Sequence, residues 1–175
     1  MVAQINLPTP TVPLPMAQLS LAYGSLQVCT APQRHLYSDM LAKAIRTAGQ
    51  GFPVLVLQLF QGGTHQTVQL CQHLTWLRCA TDRDLTKPGV ALEPEEQLSI
   101  QGLWELAKQA IITASHRLVV IEGLDLAIEH QLLSETEVIE TVQNSPVDIV
   151  ILGQNFPPAI WEIADQVTKI RQSNN

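Results

Sequence analysis

Three short, almost unbroken apolar runs constrain this chain most. They are Pro53-Val-Leu-Val-Leu-Gln-Leu-Phe60, Arg117-Leu-Val-Val-Ile-Glu122 and Val147-Asp-Ile-Val-Ile-Leu-Gly153. A half-exposed strand alternates apolar and polar residues. A run without alternation is what a strand covered on both faces looks like. Covering two faces takes helices above and below, and the stretches between the runs supply them. Leu36, Met40, Leu41, Ala44, Ile45 and Ala48 recur at helical spacing before Gly49. Pro94 to Ser115 reads as a second helix, with Leu98, Leu103, Leu106, Ala107, Ala110 and Ile111 on its apolar side. The expected fold is α/β, three-layered, with a mostly parallel sheet.

The remaining elements fit that alternation. Ser25 to Thr30 reads as a strand, Thr67 to Leu74 as a short helix after the Gly62-Gly63 break, and Thr75 to Cys79 as a strand. Thr81 to Glu93 is polar, carries Pro88-Gly89 and reads as a loop, with Asp82-Arg83-Asp84 solvated. Ser134-x-x-Glu137 is a capping box that opens a helix to about Gln143. Pro157-Pro158 starts a short helix, and Gln166 to Arg171 is a last strand.

A chain of 175 residues is long enough for one domain with a substantial core. Residues 1–25 stand apart from the domain expected over 26–175. Pro8, Pro10, Pro13 and Pro15 fall within eight positions, a density that blocks helix and central strand and favours polyproline II. Either this N-terminal arm is a tail, or it is a docking element, because Leu, Val and Met alternate with its prolines. A net charge of −6 disfavours phosphate-led binding of nucleic acid. The apolar runs are far too short for a membrane span. No basic start precedes an apolar run, so no secretory signal is expected. Cys29, Cys71 and Cys79 form no even-numbered framework and read as reduced thiols of a cytoplasmic protein.

The loop after the first strand carries the argument about function. It reads Ala31-Pro32-Gln33-Arg34-His35-Leu36-Tyr37-Ser38, between a strand and an amphipathic helix. Nucleotide-binding chains with that outline have GxxxxGK[ST] there. Their glycines let successive N–H groups close around phosphate oxygens, and the lysine adds a point charge. Here no glycine occurs between Gly24 and Gly49, no lysine precedes Lys43, and Pro32 has no N–H to offer.

Taken in order, the motifs resemble the ATP-dependent corrinoid adenosyltransferases of the BtuR/CobO type. Val28-Cys29-Thr30 and Ala44-Ile45-Arg46-Thr47-Ala48-Gly49-Gln50-Gly51 are similar to the two ends of that family's strand, T-G-N-G-K-G-K-T-T loop and L-R-A-A-G-H-G helix. Val54 to Gly62 resembles V-x-V-V-Q-F-x-K-G, Trp104-Glu105-Leu106-Ala107-Lys108 resembles A-W-E-x-A-K, and Leu118 to Glu122 resembles L-V-V-L-D-E. Leu152 to Pro158 resembles T-G-R-x-A-P-P, and Ala164 to Ile170 resembles A-D-L-V-T-E-M. The likeness runs from Leu26 to Arg171 and implies a P-loop NTPase-like, RecA-like fold.

The departures fall where the family's chemistry sits. The resemblance puts Ala31, Gln33 and His35 at the loop glycines, Arg34 at its first lysine, Leu36 at its second, and Tyr37-Ser38 at its Thr-Thr pair. Glu122-Gly123 replaces the Asp-Glu pair, and Gln154 replaces the arginine before the Pro-Pro turn.

Read singly, these residues favour structural roles. Arg34 is a solvated loop arginine before it is a phosphate contact. His35 starts a helix, and Ser38 and Asp39 are its N-cap candidates. Glu122 lies on the usual ligand edge of an α/β sheet. It or Asp125 can hold Mg²⁺ only if phosphates share the ion, so both read as polar edge residues. Cys71, His73 and Cys79 match no standard zinc spacing. Trp76, Trp104 and Trp161 read as core or interface.

The expected function is therefore that of a non-catalytic relative, a protein-binding or regulatory domain with a protein partner or a second copy of itself, needing no cofactor. One alternative is an active ATP:corrinoid adenosyltransferase with a rebuilt site, using ATP, Mg²⁺ and a corrinoid. Another is a binder of some other small ligand in the vacated cleft.

Overall fold

The computed structural model describes residues 23–33, 37–60 and 72–171. The elements, in chain order, are β1 (Leu26–Thr30), α1 (Ser38–Gly49), β2 (Val54–Gln58), β3 (Leu74–Arg78), α2 (Pro94–Ile112), β4 (Leu118–Glu122), α3 (Leu124–Glu129), α4 (Glu135–Val142), β5 (Asp148–Gly153), α5 (Pro158–Glu162) and β6 (Gln166–Lys169). The strands form one sheet in the order β3-β2-β4-β5-β1-β6, and every adjacent pair is parallel.

The three apolar runs are β2, β4 and β5, the strands expected to be buried. Each contributes side chains to two cores. Leu55, Leu57, Val119, Ile121, Ile149 and Ile151 face α2, α3, α4 and α5, whereas Val54, Val56, Leu118, Val120, Val150 and Leu152 face α1. These are the three layers. Trp104, 1% exposed, anchors the larger core from α2. Its indole N–H donates to Glu137 on α4 at 2.9 Å, which ties two outer helices together.

Several expectations need correction. Leu98 and Leu106 do not join the α2 core but are 68% and 48% exposed. Ile100 and Trp104 take those places, because the 3.6-residue period turns the buried face toward them. Leu74 does not end a helix; it begins β3. The helix expected over 67–74 otherwise falls mostly outside the described residues. The Ser134 capping box is half made: Ser134 Oγ accepts from the Glu137 N–H at 3.1 Å, but the Glu137 carboxylate serves Trp104 and Lys108 instead. A reach-back of that kind occurs at α2, where Glu96 accepts from the Glu93 N–H at 2.9 Å. Neither Ser38 nor Asp39 caps α1; Tyr37 holds the cap position, and among the described residues no side chain bonds there. Arg83 is not simply solvated, since its guanidinium pairs with Glu93 at 2.8 Å and Glu96 at 3.1 Å and pins the loop over 81–93.

Candidate functional site

With all strands parallel, their carboxyl ends share one edge, where ligands of open α/β sheets bind. At that edge Thr30 stands beside Gly153, Leu152 beside Glu122, Glu122 beside Gln58, and Gln58 beside Arg78. The candidate site lies over the ends of β1, β5 and β4.

Tyr37 is its central side chain. It is 1% exposed, and its phenol donates a hydrogen bond to the Gly153 carbonyl. Burial pushes its ionisation well above the ordinary tyrosine range, with the nearby Asp125 and Glu122 charges adding to the effect. The side chain is a neutral donor at any physiological pH. Ala31 is buried beside it, while Pro32 and Gln33 are exposed. Arg34, His35 and Leu36 lie outside the described residues. Ser38 is simply the first residue of α1.

β4 ends at Glu122, and the chain turns sharply into α3. The turn needs Gly123, whose φ of 95° lies in the left-handed region and where an added Cβ would stand 3.1 Å from the Phe60 ring. Glu122 is a polar edge residue, as the sequence suggested, but a buried one. It is 4% exposed, and its Oε2 accepts from Gln58 Nε2 at 2.6 Å. The Gln58 Oε1 in turn accepts from Trp76 Nε1 at 2.8 Å and Arg78 Nε at 2.7 Å. Gln58 is thus a connector that sequence reasoning passed over. A polar residue inside an apolar run was the available signal, because a buried amide must find partners.

Asp125, 6% exposed, is also structural rather than a free edge carboxylate. Its Oδ2 accepts from the Gln154 N–H at 2.7 Å and the Asn155 N–H at 3.1 Å, satisfying the turn after β5. Among the described residues its Oδ1 has no hydrogen-bond partner. A Cβ on Gly153 would stand 2.6 Å from that oxygen, so only glycine allows the approach. Gln154 itself is exposed, and its side chain donates to the Pro32 carbonyl at 3.4 Å.

The space left among these groups is small. A cavity of about 40 Å³ is lined by Tyr37, Thr86, Glu122, Asp125, Gly153 and Gln154. Thr86 comes from the pinned loop over 81–93, whose Leu85 is buried in the core. Such a volume holds a few waters at roughly 10–15 Å³ each. Among the described residues no group of three His, Cys, Asp or Glu is placed to hold a metal ion. Cys71 lies outside them, and Cys79 is buried with its thiol pushed up by desolvation, as is that of Cys29. No helix among the described residues is long and apolar enough to cross a membrane.

Comparison with known proteins adds two findings. Residues 24–175 match the family profile described as ATP:corrinoid adenosyltransferase BtuR/CobO/CobP. A protein of Pseudomonas aeruginosa named corrinoid adenosyltransferase is 23% identical over 171 residues, covering 89% of this chain and 78% of that relative.

Proposed function

This chain belongs to the ATP:corrinoid adenosyltransferase BtuR/CobO/CobP family, and we propose that it keeps the fold without the nucleotide chemistry, acting as a protein-binding or regulatory domain of the cytoplasm. The observation that carries this reading is Tyr37. Its buried ring packs in the α1-side core with Cys29, Ala31 and Leu152, beside the ends of β1 and β5, and its phenol is spent on the Gly153 carbonyl. Where the family resemblance places a hydroxyl for magnesium, this chain has a neutral aromatic wall.

The residues present do not fit ATP with Mg²⁺. A nucleotide needs a pocket of several hundred Å³, against about 40 Å³ here. Glu122 is engaged by Gln58, and Asp125 by two backbone N–H groups. Losing several charge-assisted hydrogen bonds, each worth roughly 1.5–3 kcal/mol, lowers affinity by about 100-fold or more. On this reading no cofactor is required.

Contact with a protein suits the outer surface. Three large apolar residues of α2, Leu98, Leu106 and Ile112, are exposed. The partner is another protein or a second copy of the chain. Family membership favours a second reading, that of an active adenosyltransferase, which requires Tyr37 to leave its place. The test is titration of the purified protein with ATP–Mg²⁺ by calorimetry, with and without a reduced corrinoid. We expect no heat of binding up to millimolar nucleotide. A micromolar dissociation constant overturns the proposal and establishes the enzyme reading.

A further inference from the structure

Because the strands run one way, every segment leading into a strand lies on the edge opposite the candidate site. Four such lead-ins sit side by side there: Phe52-Pro53 before β2, His116-Arg117 before β4, Pro146-Val147 before β5 and Tyr23-Gly24 before β1. Two grooves open on this edge, of about 390 Å³ and about 310 Å³, and Arg117 lines both. Phe52 belongs to the first, and Pro53, Pro146 and Val147 to the second. Tyr23 and Phe52 are 63% and 49% exposed, so the edge presents two aromatic rings to solvent.

We propose that the N-terminal segment Pro8 to Pro15 of the same chain lies across this edge as a polyproline strap. Four observations lead there. The root of the segment is already on the edge: the Gly24 N–H donates to the Ser145 carbonyl at 2.7 Å. A Cβ on Gly24 would stand 2.0 Å from the Val147 carbonyl, so the chain enters β1 pressed against one wall of the second groove. Met1 to Ala22 carries no charged side chain, while all ten Lys and Arg and all sixteen Asp and Glu follow it, so it suits the Phe52, Pro53, Pro146 and Val147 parts of grooves that Lys43, Arg117 and Asp148 also line.

The lengths also agree. From β1 to β2 the edge spans three strand spacings, about 14 Å. Eight residues of polyproline II span about 25 Å, and seven residues, Met16 to Ala22, remain to make the turn. Polyproline segments dock on aromatic- and proline-lined grooves and offer carbonyls without matching donors. Arg117 can meet those carbonyls: its side chain is 62% exposed, and its bond to Asp148 is a long 3.6 Å. A short tether holds the strap at an effective concentration near millimolar, so weak contacts suffice within one chain.

Hydrogen exchange with mass-spectrometric readout tests the strap, comparing the full chain with one lacking residues 2–22. We expect amides of 50–52 and 114–117 to exchange several-fold faster in the deleted protein. Phe52→Ser and Arg117→Gln in the full chain should each reproduce part of that loss. A synthetic peptide of residues 5–17, added to the deleted protein, should restore protection. Unchanged exchange on deletion overturns the proposal. A full chain that sediments as a dimer, with a monomeric deleted form, overturns it too and assigns the edge to the arm of a second copy. Nucleotide binding does not enter either readout.

Discussion

Tyr37 and Gly153 are joined across the carboxyl edge of the sheet, the phenol at the start of α1 donating to the carbonyl that closes β5. They are 116 positions apart in the chain. The bond fastens the first crossover helix to the fifth strand at the edge where the candidate site lies.

Removing the phenol should therefore cost stability. Tyr37→Phe leaves the buried Gly153 carbonyl without its donor, a loss of about 1–3 kcal/mol. Tyr37→Ala adds a cavity, for a total of about 3–5 kcal/mol. Urea unfolding followed by tryptophan fluorescence measures both. If Tyr37→Phe leaves the midpoint unchanged, the hydroxyl is not holding the edge together.

Much of this architecture is legible in the sequence. Val54 to Gln58, Leu118 to Glu122 and Asp148 to Gly153 are buried strands because their unbroken apolar runs leave them no other place. The site was less legible. Tyr37 looked like bulk in a loop, and nothing local says that its ring turns inward to a carbonyl more than a hundred residues away. Glu122 and Asp125 read only as polar edge residues because their partners, Gln58 and the turn after Gly153, arrive only when the sheet assembles. Leu98 and Leu106 misled because hydrophobicity alone does not say which side of a helix meets the sheet.

Asp125 offers a test of that assembly. Asp125→Ala strips acceptors from the Gln154 and Asn155 N–H groups and should destabilise by about 2 kcal/mol. Asp125→Asn keeps a carbonyl oxygen for those donors and removes a buried charge whose second oxygen has no partner among the described residues. It should be neutral or stabilising. Gly153→Ala drives a methyl to within 2.6 Å of the same carboxyl and the Phe156 ring, an overpacking cost of about 1–3 kcal/mol. Thermal melts of the three variants rank them. An Asn variant as unstable as the Ala variant would mean that the charge itself is required.

Acid should unfasten the α2–α4 contact. Lys108 lies 2.8 Å from Glu137, and its hydrogen bond, with that of Trp104, holds the Glu137 carboxyl below the ordinary carboxylate range. A carboxyl depressed in the folded state binds its proton less readily there than in the unfolded chain. Its stabilisation is thus complete above the unfolded value of about 4.3 and is lost as pH falls through the lower, folded value. Glu137→Gln forgoes that contribution at every pH. The melting temperature of the native chain should exceed that of the variant at pH 7, and the gap should close as pH falls from about 5 toward 3. Glu96 is depressed in the same sense, chiefly by the Glu93 N–H, so both proteins should still lose stability over that window. Parallel melting curves, with a gap independent of pH, would show that Glu137 contributes by packing and not by charge.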